Sequence, residues 1–230
     1  MNRGSDQHAA ASDTSRAAGG WRRAQGSATT TLLLRHGQTA MSVEGRFAGR
    51  GDIPLTSTGA RQAIAAADRL AGCGVDLVVS SPLSRARDTA QAVVDAAGAP
   101  MIVEDDLAET DFGAWEGLTF AAVMARWPGQ LSAWQGDADV APPGGESFAA
   151  VASRVNGALD RLLASNLGQT IVVVSHVTPI KTLVCRALLA PPPAMFRMHL
   201  DVASLCEATW FADGPALIRS LNDTAHLRGC

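Results

Sequence analysis

Two runs without polar alternation dominate the hydrophobic pattern of the chain, and each leads into a histidine. The first, three threonines and three leucines at residues 29–34, stops at an Arg-His-Gly turn that contains His36, and the second, at residues 171–175, stops at His176. Runs of this kind predict strands that are buried on both faces. Because α/β folds bind ligands at the C-terminal ends of such strands, the two histidines predict one functional site. For the Arg-His-Gly turn alone, a strand end whose charged side chains reach solvent is an equal alternative.

The rest of the pattern alternates between strands and helices. Further strands are predicted at residues 76–80, 101–103, 203–211 and 215–221. Helical spacing of apolar residues predicts helices at residues 60–70, 83–97 and 147–163, and another after Thr178-Pro179. Ser81 and Thr178 each precede a proline and are predicted as N-caps, with the proline in the first helical turn. The alternation predicts an α/β fold, a three-layer α/β/α sandwich.

One folded domain is expected, preceded by a tail. Residues 1–28 are rich in Ala, Ser, Gly and Arg, which predicts a disordered tail or the remnant of a linker. Residues 29–230 then form the domain. Within it, residues 118–145 lack a regular period and are predicted to form a cap over the site. The tryptophans of that segment, Trp127 and Trp134, are expected to serve local packing.

Composition narrows the functional classes. The chain has 230 residues, enough to bury the core of one domain. Its net charge is -3, from 19 basic and 22 acidic residues, so no overall field favours nucleic acid or a membrane surface. No apolar run approaches the ~20 residues that a membrane helix needs. The four cysteines lack the spacing of metal ligands, which predicts free thiols and a cytoplasmic setting.

Four motifs occur in a fixed order along the chain. They are the Arg35-His36-Gly37 turn, Ser80-Ser81-Pro82-Leu83-Ser84-Arg85-Ala86, Glu109 ahead of Phe112-Gly113-Ala114-Trp115-Glu116-Gly117, and Ser175-His176. Over about residues 30–227 this order resembles the histidine phosphatase (phosphoglycerate mutase-like) superfamily. Within it, the sequence is most similar to alpha-ribazole phosphatases and to the phosphatase domain of bifunctional ribonuclease H/acid phosphatase proteins. The resemblance implies a six-stranded, mostly parallel sheet with the two histidine-bearing strands adjacent.

The residue types at these motifs suit phosphoryl transfer. A guanidinium matches phosphate oxygens and stays charged, so Arg35 and Arg85 are candidate phosphate ligands. His36 is the candidate nucleophile, and the same cations should lower its pKa so that the ring keeps a free lone pair. His176, at a predicted helix N-terminus, is a candidate catalytic residue and a further phosphate ligand.

Two more candidates rest on the resemblance. The superfamily carries its proton donor at the position of Glu109, which is therefore the candidate general acid, and Asp111 is an alternative. Many relatives have an asparagine six residues after the nucleophile, where this chain has Ser42. A serine offers one hydrogen bond with shorter reach, so Ser42 is the weakest phosphate-binding candidate. The sequence shows no metal-ligand cluster and no cofactor motif, so we expect neither a metal nor a cofactor.

The expected function is hydrolysis of a small phosphate ester through a phosphohistidine on His36. The resemblance suggests alpha-ribazole phosphate as one substrate. Two alternatives stay open: phosphoryl transfer of the phosphoglycerate mutase type, and a phosphate-binding module without turnover. The expected partner is a small phosphorylated substrate, with no membrane and no nucleic acid, and a homodimer is an open option.

Overall fold

The computed structural model describes residues 27–229, so the tail predicted at residues 1–28 lies almost entirely outside the described residues. The strands are β1 (Ala28–Arg35), β2 (Leu77–Ser80), β3 (Met101–Val103), β4 (Thr170–Ser175), β5 (Leu205–Phe211) and β6 (Ala216–Asp223). The described α-helices are α1 (Ala40–Glu44), α2 (Ser57–Leu70), α3 (Ser84–Ala97), α4 (Phe120–Arg126), α5 (Gln130–Gly136), α6 (Phe148–Ser165) and α7 (Val177–Ala187). Short 3-10 helices occur at Asp105–Leu107, Gly113–Trp115, Pro192–Arg197 and Ala225–Leu227.

The six strands form a single sheet in the order β3-β2-β4-β1-β5-β6. β3, β2, β4 and β1 run parallel to one another. β5 is antiparallel to β1, and β6 is antiparallel to β5. β1 and β4 are neighbours, and their register places Arg35 opposite Ser175. The predicted mostly parallel sheet with adjacent histidine-bearing strands is therefore confirmed, and both strands end at the same sheet edge.

Helices cover both faces of the sheet, which confirms the three-layer α/β/α sandwich. On one face, α6 and α7 pack against the sheet through residues such as Leu159 and Leu183. On the other face, α2 and α3 pack through Ala66 and Ala90. Successive β4 side chains point to opposite faces, and Val172 and Val173 belong to different cores. This two-sided burial explains why β4 has no polar alternation.

Two helix starts differ from the prediction. α3 begins at Ser84 rather than after Ser81, and its first amide donates to Asp52 Oδ1 at 2.7 Å instead of to Ser81. α7 begins at Val177 with His176 at the N-cap position, so Thr178 lies inside the first turn. The Ser81 side chain instead contacts His176, as described below, and Thr178 cannot cap α7 because His176 takes the cap position.

The segment at residues 118–145 contains α4 and α5, which its irregular pattern did not predict. Leu131 and Trp134 of α5 are buried in an aromatic core together with Phe47 and Phe148. A third unpredicted helix, α1, begins one residue after Thr39. All three helices contribute residues to the wall of the cavity over His36, described below.

Candidate active site

His36 follows the last residue of β1 and is 5% exposed. Its Nδ1 lies 2.7 Å from the backbone oxygen of Gly37. A carbonyl oxygen can only accept a hydrogen bond, so Nδ1 carries the proton and donates it. The Nε2 lone pair of His36 is then free to attack an electrophile.

The ring of His36 is held neutral. Burial is the largest cause of a pKa well below the usual histidine value, and the guanidinium groups of Arg35 and Arg85 lower the pKa further. The direction expected from the sequence is confirmed, but the main cause is the removal of water rather than the two cations. A neutral, tautomerically fixed imidazole is the form that a nucleophilic histidine needs.

The turn after His36 is fixed by packing. A Cβ on Gly37 would overlap the backbone oxygen of Gly59 at the start of α2, so this position requires glycine. The Gly37 amide donates to Thr89 Oγ1 of α3 at 3.1 Å. The two helices on this face therefore clamp the turn and with it the His36 ring.

His176 is fully buried, and its ring centroid lies 5.0 Å from that of His36. Ser81 Oγ lies 2.7 Å from His176 Nε2 and accepts from the Leu83 amide at 3.4 Å. The Ser81 hydroxyl can donate to Nε2, and in that tautomer Nδ1 of His176 carries the ring proton. That Nδ1 is buried and has no hydrogen-bond partner within the described part of the chain.

The sequence analysis assigned Ser81 to helix capping and did not predict its contact with His176. The order of the strands could have revealed this contact: β2 lies next to β4 in the sheet, so the residues just after both strands must meet. Burial and the positive charges of the site also lower the pKa of His176 well below its usual value, with burial as the largest cause.

Arg35 is partly buried and Arg85 is fully buried, and each has a buried Nε without a partner among the described residues. Arg35 Nη1 donates to the Leu200 oxygen at 2.6 Å, and its Nε has no partner among the described residues. Arg85 donates from Nη1 to the Gly51 oxygen and from Nη2 to the Gly49 oxygen, both at 2.8 Å, and its Nε is likewise unpartnered. Arg85 therefore also holds the loop between α1 and α2 in place.

The electrostatic balance around these groups favours an anion. Burial lowers the pKa of Arg35 and of Arg85, and Glu109 is the strongest opposing influence on both. Three buried nitrogen atoms have no hydrogen-bond partner among residues 27–229: Arg35 Nε, Arg85 Nε and His176 Nδ1. Unpaired buried donors and cations are costly, and a phosphate would satisfy them.

Glu109 is buried at 5% exposure beside the same cavity as His36. Its Oε1 accepts from the Thr110 amide at 2.8 Å, and its Oε2 accepts from the Thr178 amide of α7 at 3.4 Å. Arg154 fastens the preceding segment by donating to the backbone oxygens of Asp106 and Ala108. The Glu109 carboxyl group is therefore held in position by amides from two segments, at Thr110 and at Thr178.

The alternative carboxylates are engaged elsewhere. Asp111 Oδ1 accepts from the Gly113 amide at 2.8 Å, and Asp106 pairs with Arg161 on the surface. Glu116 accepts from the amides of Gly49 and Arg50. None of these three side chains lines the cavity described next.

A cavity of about 250 Å³ opens over His36. Its polar floor includes Arg35, His36, Glu109 and Thr178, and its walls are largely aromatic. The apolar residues that line it are Phe47, Phe112, Phe120, Trp134, Phe148, Val177, Met195 and Phe196. Trp134 therefore does more than the local packing expected of it, since it also faces the cavity. Arg85 and His176 lie behind this surface, fully buried.

Ser42 lines the cavity, but its hydroxyl is already bonded. Ser42 Oγ donates to the Thr39 oxygen at 2.8 Å and accepts from the Thr39 amide at 2.9 Å, which closes the capping box of α1. A phosphate oxygen would have to compete with that carbonyl for the one hydroxyl proton. The other two histidines of the described residues lie outside the cavity: His199 pairs with Asp201 on the surface, and His226 contacts the Ala203 oxygen.

Within residues 27–229, no group of three or more His, Cys, Asp or Glu side chains is arranged to hold a metal ion. In the same part of the chain, no helix is long and apolar enough to cross a membrane.

The site and the fold agree with the comparisons to known proteins. The chain matches the profile of the Histidine phosphatase superfamily (branch 1) over residues 31–224, and it belongs to that superfamily. The bifunctional protein Rv2228c of Mycobacterium tuberculosis is 49% identical over 209 residues, which cover 90% of this chain. This chain spans only 57% of the length of that relative.

Two solved structures show the same architecture. The mycobacterial glucosyl-3-phosphoglycerate phosphatase Rv2419c has a TM-score of 0.79 at 34% identity, covering 86% of this chain and 100% of the other. A candidate alpha-ribazole-5'-P phosphatase from Escherichia coli has a TM-score of 0.76 at 31% identity, covering 85% and 96%. Other relatives include phosphoserine phosphatase 1 of Hydrogenobacter thermophilus, which is 32% identical over 85% of this chain and 93% of its own length.

Proposed function

We propose that this chain hydrolyses a small phosphate monoester in two steps through a phosphohistidine on His36. The observation that carries the proposal is the state of the His36 ring. The ring is buried, its pKa is held low, and its Nδ1 donates to the Gly37 oxygen. The lone pair of Nε2 is therefore free, close to the guanidinium groups of Arg35 and Arg85. That combination suits attack on phosphorus and has no evident structural purpose.

In the first step, the Nε2 lone pair of His36 forms the N–P bond while the ester P–O bond breaks. Arg35, Arg85 and His176 Nδ1–H are the donors for the charge on the transferred phosphoryl oxygens. Glu109 gives its proton to the departing oxygen, so the alcohol leaves neutral. In the second step, water attacks phosphorus, Glu109 takes a proton from it, and the N–P bond electrons return to His36. These roles require neither a metal nor a cofactor.

Water is the proposed final acceptor rather than a second hydroxyl of the substrate. A mutase must hold a bisphosphorylated intermediate, which calls for several cations beyond those around His36. Arg126, the cation of the segment at residues 118–145, stacks on Trp127 at 4.7 Å and does not line the cavity. Sequence reasoning overlooked Lys181, which does line the cavity. A single ammonium still falls short of what a second phosphate requires.

The substrate is the finer part of the proposal. Alpha-ribazole phosphate is one candidate, supported by the likeness to the Escherichia coli structure. The enzyme would meet a small phosphorylated metabolite in the cytoplasm, where the thiols of Cys73, Cys185 and Cys206 stay reduced.

The test of hydrolysis against mutase activity uses 3-phosphoglycerate with catalytic 2,3-bisphosphoglycerate. A phosphatase should release inorganic phosphate and form little 2-phosphoglycerate. Hydrolysis of 4-nitrophenyl phosphate, run in parallel, reports that the preparation is active. Efficient isomerisation with negligible phosphate release would assign mutase activity, and loss of turnover on every ester would leave only a binding module.

A further inference from the structure

Lys181 is the only lysine in the sequence, and it lies in the wall of the cavity over His36. It is on α7, three residues after Thr178, whose amide bonds to Glu109. The spacing puts the two residues on the same side of the helix. Lys181 therefore lies about one helical turn from Thr178 in the polar floor of the cavity. The part of the cavity beside it is the space that the ester group of a substrate would fill.

The ammonium group of Lys181 has no hydrogen bond and no ion pair among residues 27–229. The side chain is partly buried, and burial lowers its pKa, with Arg35 as a further lowering influence and Glu109 opposing it. Holding an unpaired cation partly out of water costs free energy, and a ligand that supplies a negative charge would offset this cost.

The other cation that opens onto the cavity from its rim is already paired. Arg46 is ion-paired with the Glu44 carboxylate, and its Nη1 donates to the Gly117 oxygen at 2.8 Å. Arg35, on the floor, faces the group that His36 attacks. Lys181 is thus the cation in the cavity wall that is left for a different part of the substrate.

We infer that Lys181 binds a carboxylate on the body of the substrate, apart from the phosphate that is transferred. The inference rests on the proposed function. One compact ammonium matches one carboxylate, whereas a second phosphate dianion would call for two cations or a guanidinium fork. The aromatic rings of Phe47, Phe120 and Trp134 line the same cavity and suit an apolar or planar body. The substrate class is therefore a phosphate monoester that carries an apolar segment and a carboxylate. Alpha-ribazole phosphate has no carboxylate, so it and this class are competing substrate candidates.

A different role for Lys181 has a different signature. Lys181 could act on Glu109 or on the transferred phosphate, since it interacts electrostatically with both Glu109 and Arg35. Such a role would change the turnover of every ester by the same factor. A carboxylate subsite instead changes the ratio between an ester with a carboxylate and a matched ester without one.

The test uses 3-carboxyphenyl phosphate and 3-methylphenyl phosphate, whose phenol leaving groups have similar acidity. For each protein we would measure the ratio of kcat/KM for the carboxylated ester to that for the methylated ester. Lys181→Met keeps the length of the side chain and removes the charge, so the ratio should fall roughly 10-fold or more, chiefly through KM. Lys181→Arg keeps the charge and should retain most of the preference.

The same ratio can be measured without catalysis. Calorimetric Kd values of both esters are compared in His36→Ala protein, with and without Lys181→Met. Loss of affinity confined to the carboxylated ester supports the subsite. Equal losses for both esters, or no loss, overturn it. If the wild-type protein is active and Lys181→Met leaves the ratio unchanged, the subsite alone is refuted. If the wild-type protein binds both esters but hydrolyses neither, the proposed function alone is refuted.

Discussion

Ser81 Oγ lies 2.7 Å from His176 Nε2, and this contact joins the turn after β2 to the residue that follows β4. A Ser81 hydroxyl that donates to Nε2 leaves the ring proton on Nδ1, and we propose this tautomer for His176. The Nδ1 atom is buried and has no hydrogen-bond partner among the described residues.

Ser81→Ala should reduce kcat by roughly 3- to 10-fold with a smaller effect on KM, since one hydrogen bond that orients a donor contributes about 1 kcal/mol. The matched control is Ser80→Ala. Ser80 is also fully buried, but its hydroxyl donates to the Ser81 backbone oxygen rather than to a histidine. Both variants should lose similar stability in urea. Equal kcat values for the two variants would refute the positioning role of Ser81.

Glu109→Gln keeps the shape of the side chain and removes the proton that the leaving oxygen needs. Alkyl phosphates should lose roughly 10²-fold or more in kcat. Aryl phosphates should lose much less, because a phenolate leaves without prior protonation. Steady-state kinetics on glycerol phosphate and 4-nitrophenyl phosphate separate the two cases.

Asp111→Asn is the control for Glu109, since Asp111 is close in sequence but bonds the Gly113 amide away from the cavity. It should leave the alkyl-to-aryl ratio unaltered. A uniform loss on both substrates in Glu109→Gln would point to positioning, and an altered ratio in Asp111→Asn would make Asp111 the acid.

The buried histidines predict how stability depends on pH. The pKa values of His36 and His176 are lowered in the folded protein, so below about pH 6.5 the unfolded chain binds protons that the folded chain does not. Stability is therefore unaffected by these groups above their unfolded pKa and falls as the pH drops below it. Each neutral buried histidine contributes a slope of about 1.4 kcal/mol per pH unit there.

Urea unfolding in phosphate-free buffer between pH 7.5 and 5.5 measures this slope. Phosphate is left out because a ligand of the folded state would mask the effect. His36→Gln cannot take up the proton, so its stability should fall less steeply than that of the wild type over the same range. Identical slopes for the two proteins would show that His36 is not held neutral by the fold.

The strands and the main site were predictable because local patterns specify them. The runs that form β1 and β4 are apolar on both faces, and a parallel sheet must bring the residues that follow them to one edge. His36, His176, Arg35, Arg85 and Glu109 could be assigned from motif order, and the structure brings all five together. Their chemical roles are still predictions.

The parts that could not be predicted depend on contacts between distant segments. Ser81 and Thr178 looked like helix caps because the sequence does not show that Asp52 reaches α3 or that His176 takes the cap position. The aromatic cavity assembles from Phe47, Trp134 and Phe196, whose meeting no local period encodes. Burial as the main cause of the low His36 pKa likewise requires the packed core.

The account depends most on a covalent bond between His36 Nε2 and phosphorus. The most direct measurement is an acid-free quench of the enzyme with labelled substrate, followed by mapping of the labelled peptide. We expect a label on His36 that is stable to base and lost in acid, as a phosphoramidate is, and neither label nor turnover in His36→Ala. Near-normal turnover in His36→Ala, or a label on another residue, would contradict the mechanism.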